Sequence, residues 1–359
     1  MSKKIILATD AWYPQRNGVV KCVEEMKKHL EKRGFNVLLI HPGLFFSVAL
    51  FFYPEIKFSL FCYPKIKKIF KKENPDYVHI FTEGPIGLSV RSVCFKSGLK
   101  FTTSCHTNFQ EYTKYYFWMK IPLLLEYLYI FLKRFCADVN KDVAGFIYLR
   151  WFHNKSNGTM AITKELVEKF EAHGFLHMLL WPLGVDTNLF LRNENSPVKE
   201  QYNLKSPVFI YFGRIAPEKN VEEFLKLDLP GSKLVVGDGP SKKSLEEKYG
   251  KTNIFTGYKK GPELVDFLSV ADVLVHPSLT DTFPLAIIEA FSCGLPVAAH
   301  DVMDLKHLVK KDVGVLDKDL KKAALECLKI SREECRKYAL TFSWQESANH
   351  FINNLVKSR

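Results

Sequence analysis

The sequence contains no C-x-x-C pair, and its eight cysteines (Cys22, Cys62, Cys94, Cys105, Cys136, Cys293, Cys327 and Cys335) share no regular spacing with histidine. Such scatter argues against a disulfide framework or a zinc finger and predicts buried thiols in a reducing compartment. Long apolar runs are missing as well. The longest, LFFSVALFFYP from Leu44, stops well short of the roughly 20 residues a helix needs to span a bilayer. The opening MSKKIILATDAWYP has too short an apolar core, and no small-residue cleavage site before Trp12 and Pro14, to read as a signal peptide. Neither a short-period repeat nor a low-complexity tract interrupts the chain. The expected setting is cytoplasmic, with nothing that crosses a membrane.

What is present describes a folded protein: 359 residues, 47% hydrophobic and 25% charged, enough for two domains with separate cores. The formal net charge of +12 invites anionic partners, whether phosphorylated ligands, an anionic membrane or nucleic acid. Lysines are spread through many segments, with short clusters such as KIKKIFKKE at Lys65 to Glu73. Nothing resembles a nucleic-acid-binding motif, so nucleic acid is not an expected partner.

Apolar segments alternate with amphipathic ones. KIILATD, the loop AWYPQRNGVV, a helical KCVEEMKKHLEKRG ending at Gly34, and then NVLLIHP make a strand, helix, strand unit. DYVHIFTEGPIG, KFTTSCHTNF and SNGTMAITKELVEKFEAHG extend the pattern. It restarts after a connecting stretch near residues 186 to 205, with VFIYFGRIAPEKN, SKLVVGDGPSKKSLEEKYG, TNIFTGYKKGPELVDFLSV and ADVLVHPSLTDTFPLAIIEAF. This order predicts an α/β protein with parallel sheets and domains at 1–185 and 186–340. The tail at 341–359, which contains FSWQESANHFINNLVKSR, reads as an amphipathic helix crossing back to the first domain.

The chemistry concentrates where strands end. Arg214 and Lys219 lie on the loop after VFIYFG, outside the carboxyl end of a strand, where an open parallel sheet meets its ligand. VVGDGP carries Gly237 and Gly239 but lacks the full G-x-G-x-x-G spacing, which argues against a nicotinamide enzyme. Phe283, Pro284 and Leu285 open a helix whose free amides suit an anion. A helix end carries only about half an elementary charge, so a diphosphate there calls for Arg214 and Lys219 as well. Asp281 and Glu289, eight residues apart, flank the same helix start and cannot grip phosphate; they suit hydroxyls at the two ends of a sugar nucleotide. Taken alone, Asp281 also reads as an N-cap and Glu289 as a surface residue. LDKD at Leu316 to Asp319 has a D-x-D spacing but sits in a charged segment that reads as a solvated turn, and no metal is expected.

GRIAPEKN, VGDGP, IFTGY, SVADVLVHPSLTDTF and the spacing of the acid pair resemble the retaining glycosyltransferases of family four, which have the two-domain GT-B fold with Rossmann-like domains facing a central cleft. TDAWYPQRNGVV, HIFTEGPIG, SCHTNFQEY, LRWFHNKS and GVDTNLF resemble the branch that holds lipid-directed α-mannosyltransferases and sulfoquinovosyl diacylglycerol synthases. The resemblance spans nearly the whole chain. It implies transfer of a hexose, mannose or glucose among the candidates, from a nucleotide diphosphate sugar to a membrane glycerolipid or glycolipid, with no cofactor and no metal. It further implies that Gly18 lies close to the donor diphosphate, that His106 is the active-site histidine contacting the donor sugar, and that Arg214 and Lys219 clamp the diphosphate. Asp281 and Glu289 match the acid pair for sugar and ribose, and Tyr258 falls at the base pocket.

Three departures stand out. Pro284 replaces the usual glycine after the Phe and removes a backbone donor, Leu183 stands where an arginine is common, and HDVMDL lacks the usual Pro-Gly turn. These keep open an alternative, a catalytically inactive module of the same fold that binds a sugar nucleotide or a membrane surface. Finally, LFFSVALFFYPEIKFSLFCYPKIKKIFKK and YYFWMKIPLLLEYLYIFLKRF mix aromatics, apolar clusters and lysines in the half expected to take the acceptor, which suits an interfacial surface on the inner face of an anionic membrane.

Overall fold

The computed structural model describes residues 2–15, 17–50, 53–106, 141–281, 283–302 and 305–359. They form two compact units, Met1–Pro182 with Gln345–Arg359, and Leu183–Trp344. The first junction follows Pro182 because Leu183 to Val185 pack within the second unit. There Val185 N donates to Phe342 O at 3.2 Å, and a Cβ on Gly184 would stand 2.3 Å from Trp344 N.

The first unit is built from β1 (Lys4–Ala8), α1 (Gly18–Lys32), β2 (Asn36–Ile40), β3 (Ser47–Leu50), β4 (Tyr53–Ser59), α2 (Cys62–Glu73), β5 (Tyr77–Ile80), α3 (Pro85–Lys96), β6 (Thr102–Cys105), α4 (Lys141–His153), β7 (Thr159–Ala161), α5 (Lys164–Ala172) and β8 (Met178–Leu180). Six of these strands make a parallel sheet in the order β2-β1-β5-β6-β7-β8. The central β1 pairs Ile5 with Val37 on one side and Tyr77 on the other, and Ile5 to Ala8 are fully buried, as a strand covered on both faces requires. Asn17 caps α1 by accepting from Val20 N at 3.0 Å, and Gly34, at a φ of +82°, follows the helix end as its sequence position predicts.

β3 and β4 stand apart as an antiparallel hairpin in which Val48 faces Phe58. Phe46, Val48 and Phe58 are exposed there, and Phe61, which opens α2, is 86% exposed. Along α2, Ile66 and Phe70 are buried while Lys65, Lys67, Lys68, Lys71 and Lys72 face solvent. The second aromatic and lysine-rich stretch, YYFWMKIPLLLEYLYIFLKRF, lies outside the described residues.

The second unit contains β9 (Val208–Phe212), α6 (Val221–Lys226), β10 (Ser232–Val236), α7 (Lys242–Tyr249), β11 (Ile254–Gly257), α8 (Gly261–Val270), β12 (Val273–His276), α9 (Leu285–Ser292), β13 (Val297–Ala299), β14 (Gly314–Leu316), α10 (Leu320–Cys327) and α11 (Arg332–Ala339). Its sheet is also parallel, in the order β11-β10-β9-β12-β13-β14. The chain runs outward from β9 to β11 and then crosses to β12, so the order reverses between β9 and β12, the place where doubly wound sheets bind ligands. Gly237 and Gly239 hold the loop after β10 against the loop after β9. At φ values of +154° and +155°, a Cβ there would come within 1.9 Å of Gly213 O and 2.3 Å of Ile215 O.

The last helix, α12 (Trp344–Asn354), packs on the first unit. Trp181 Nε1 donates to Ser347 O and lies 3.1 Å from its hydroxyl, Arg33 Nη2 donates to Asn349 Oδ1 at 2.6 Å, and Asn354 Nδ2 donates to Leu180 O at 2.9 Å. The seven described cysteines are buried and form no disulfide, and no helix among the described residues is long and apolar enough to cross a membrane.

Candidate functional site

In the second unit, the loops after β9 and β12 are sewn together at the switch point. A 3-10 turn over Pro217–Lys219 ends in Asn220, whose φ of 51° turns the chain into α6 and whose Nδ2 donates to Pro277 O at 3.4 Å. Ser278 Oγ donates to Glu218 O at 3.4 Å from the other loop. That stitching presents Lys219 to Asp281, and the two form an ion pair. His276, the last residue of β12 and 4% exposed, brings Nε2 to 3.0 Å from Asp281 Oδ2. Burial alone would raise the Asp281 carboxyl; the Lys219 ammonium, followed by His276, overrides it and holds the group well below the usual carboxylate range.

Arg214 reaches Glu218, with Nη1 3.6 Å from Oε1 and the Glu218 side chain 4% exposed. Tyr211 OH donates to Arg214 O at 2.6 Å, fixing the start of the loop. Its phenol is pushed well up by burial and then by Asp281 and Glu218, so all these charges share one neighbourhood.

The remaining residues singled out in this half divide. Asp281 is not the cap of α9: Pro284 holds that position at a φ of −71° without a side-chain hydrogen bond, and Leu285 is the first helical residue. Phe283 turns inward, stacked on His307 with ring centroids 5.8 Å apart and edge-on to Phe342, which leaves only its backbone to offer a ligand. Glu289 is half-buried on α9, and its charge bears on Cys293, whose thiol burial and then Glu289 push up to about 12. Tyr258, 41% exposed, follows β11, two strands from β9. Leu183 is 5% exposed, an apolar position where a leucine suits the core of its unit. In LDKD, Asp319 caps α10 by accepting from Lys322 N, and Asp317 pairs with Lys322 at 2.7 Å.

The first unit gathers a second cluster at its own switch point, between β1 and β5. Gly18 is exposed as the first residue of α1. His106, half-buried just beyond β6, sets Nε2 2.8 Å from Ser104 Oγ, which lies 3.1 Å from His79 Nε2; His79 Nδ1 in turn meets Thr102 Oγ1 at 2.8 Å. The ring of Phe81 stacks on His106 at 5.8 Å and Trp181 meets it edge-on. Burial lowers His106 to about 4 against an opposing pull from Glu83, so its imidazole is neutral at pH 7. Asp10, after β1, accepts from Thr82 Oγ1, Ile86 N and Gly87 N, and burial raises its carboxyl to about 6 in spite of those bonds. Glu83 meets His153 at 3.2 Å, and the hydroxyl of Tyr148 donates to its backbone carbonyl. Glu83, Cys105 and His153 offer ligand atoms within 4.8 Å of one another, a set chemically able to hold a zinc-like ion.

His276, Asp10, Glu83 and His153 sit inside motifs read from the sequence without being singled out there. Their one signal is position, at or just beyond the carboxyl end of a strand or on the helix beside it.

Two family descriptions match the chain: Glycosyltransferase Family 4 over residues 16–189 and Glycosyl transferases group 1 over residues 192–339. The chain is 24% identical over 327 residues to the GDP-mannose-dependent alpha-mannosyltransferase of Mycobacterium tuberculosis, covering 85% of this chain and 81% of the relative. It is 26% identical over 340 residues to the alpha-monoglucosyldiacylglycerol synthase of Acholeplasma laidlawii, covering 84% and 81%. Among solved structures, sucrose-phosphate synthase from Thermosynechococcus elongatus aligns with a TM-score of 0.72 at 18% identity over 98% of both chains, a likeness of fold.

Proposed function

Because the chain belongs to the GT-B glycosyltransferases that join a family 4 domain to a group 1 domain, we propose that it moves a hexose from a nucleotide diphosphate sugar to a hydroxyl of a membrane lipid, with retention at the anomeric carbon. The observation that carries this reading is the meeting of Lys219 and Asp281 across the switch point of the second sheet, with Arg214 on the same loop. Cations and a carboxylate held side by side fit a ligand with an anionic centre and hydroxyl-bearing ends.

On this reading Arg214, Lys219 and the first amides of α9 take up the charge that develops on the leaving diphosphate, and no cofactor is called for. Lys219 turns from Asp281 to the phosphate, which frees Asp281 for the hydroxyls of the transferred sugar, while Glu289 and Tyr258 receive the ribose and base. Pro284 supplies no N–H, so that work rests on Leu285 and the residues beyond it. The bond from the acceptor oxygen to the anomeric carbon forms as the bond from that carbon to the diphosphate oxygen breaks, and the acceptor proton leaves with the departing phosphate. Neutral His106 orients the donor sugar and transfers no proton of its own. The acceptor reading is supported by the lipid products in the relatives' names and by the exposed Phe46, Val48, Phe58 and Phe61 beside the five lysines of α2, a surface suited to an anionic leaflet.

The test is incubation of the purified protein with UDP-glucose and GDP-mannose in the presence of extracted lipids, read by mass spectrometry, with the product's anomeric configuration read by NMR. Donor binding without transfer or hydrolysis would instead support the inactive module.

A further inference from the structure

Two carboxylates stand at the switch point of the first sheet, and the structure uses them differently. Asp10 is spent within the fold: Oδ1 accepts from Ile86 N at 2.8 Å, and Oδ2 from Thr82 Oγ1 at 2.9 Å and Gly87 N at 3.2 Å. Glu83 is not. Its Oε1 meets His153 Nε2 at 3.2 Å, its side chain remains 24% exposed, and among the described residues its Oε2 makes no hydrogen bond.

The support behind Glu83 is buried and layered. The His153 ring is 1% exposed, with Nδ1 2.9 Å from Thr103 Oγ1; that hydroxyl lies 3.1 Å from Thr159 Oγ1, which lies 3.0 Å from Ser156 Oγ. The hydroxyl of Tyr148 fixes the Glu83 backbone from the other side. A partly exposed ion pair adds little stability, whereas burying an imidazole and three hydroxyls to orient one carboxylate is the economy of a binding group. Glu83 also lies close enough to His106 for its charge to act on that ring.

From this geometry we infer that Glu83 is the acceptor-binding residue of the first unit, its Oε2 receiving the hydrogen bond of the acceptor hydroxyl in the bound complex until that proton passes to the departing phosphate as the new bond forms, with His153 as its positioning residue. The inference rests on the glycosyl-transfer reading and deepens it by naming the ligand class. With Asp10 close enough for the two carboxylates to repel, the local field opposes a phosphate headgroup. The fitting acceptor is therefore an uncharged one, a glycerol or sugar hydroxyl.

The test compares wild type, Glu83→Gln and His153→Gln, with UDP-glucose and GDP-mannose as donors. Dioleoylglycerol vesicles form one arm and monoglucosyl dioleoylglycerol vesicles the other, which separates a glycerol hydroxyl from a sugar hydroxyl. In Glu83→Gln the oxygen stays with His153 and the amide facing the acceptor donates instead of accepting. We expect its acceptor KM to rise about tenfold in the productive arm while nucleotide binding and donor hydrolysis stay within about twofold of wild type. His153→Gln should move the same way, raising acceptor KM while kcat at saturating acceptor stays near wild type.

An unchanged acceptor KM in Glu83→Gln, or a parallel fall in donor binding, overturns the inference. So does loss of transfer on dialysis against a chelator with recovery on adding zinc, since Glu83, Cys105 and His153 would then be a metal site. Wild type that binds donor but transfers to no lipid overturns the glycosyl-transfer reading itself, a result distinct from active wild type with an indifferent Glu83→Gln.

Discussion

Lys219 and Asp281, sixty-two residues apart in sequence, form an ion pair where the loops after β9 and β12 meet. Lys219→Ala should weaken nucleotide-sugar binding by about 1.5–3 kcal/mol, roughly ten- to a hundredfold in Kd, the usual cost of a charge-assisted hydrogen bond. Isothermal titration with the nucleoside diphosphate checks this, and an unchanged Kd would remove Lys219 from the clamp.

Asp281 also ties stability to acid. Its folded pKa lies below the ordinary value of 3.8, so its contribution is complete above that value and is lost as pH falls through the lower folded one. Denaturant unfolding at a series of pH values should give Asp281→Asn a flatter stability curve than wild type below about pH 4.

His106 works in a higher window. With its pKa lowered from 6.5 to about 4, the folded protein binds that proton less tightly than the unfolded chain does, so stability is full above 6.5 and declines as pH falls toward 4. The ring resonances of His106 should not titrate between about pH 6 and 8, and kcat should show no histidine limb there. A midpoint near the ordinary 6.5 would contradict the neutral role assigned to it.

Asp10 serves the fold. Asp10→Ala leaves the Ile86 and Gly87 amides and the Thr82 hydroxyl without their acceptor, and should lower unfolding free energy by about 1–3 kcal/mol. Thermal melts of Asp10→Ala against wild type measure the loss, and an unchanged melting temperature would show those groups paired in another way.

Vesicle co-sedimentation addresses the hairpin. Phe61→Ser should reduce partitioning onto anionic vesicles by about fivefold, and exchanging the α2 lysines for glutamine should remove most of the salt-sensitive part. Full binding by both variants would move the membrane face elsewhere.

Both sheets were legible from the alternation of apolar and amphipathic segments, because strands buried on two faces leave unbroken runs such as VFIYF and KIILA. The placement of Arg214, Lys219 and Asp281 was legible for a related reason, since a polar residue just after such a run lies beyond the carboxyl end of a strand. Partnerships were not. His276 reads as one more residue of a buried strand, and its approach to Asp281 depends on the loop beyond Pro277 bringing Asp281 back over the strand end, where Lys219 arrives from a different loop. Glu83 and His153 are seventy residues apart, and they meet only because α4 packs beside the carboxyl ends of β5 and β6. Phe283 was legible only in its backbone: its place at the helix start marks an amide, while the packing of its ring against His307 and Phe342, distant in sequence, cannot be read from the motif.

The docking of α12 on the first unit makes that unit discontinuous, with the whole second unit inserted between its parts. During synthesis, Trp181 waits for Ser347, 166 residues later, whereas the inserted unit ends at Trp344. A released chain truncated after Trp344 should therefore protect the later-made unit from protease while the earlier-made one is still open to it.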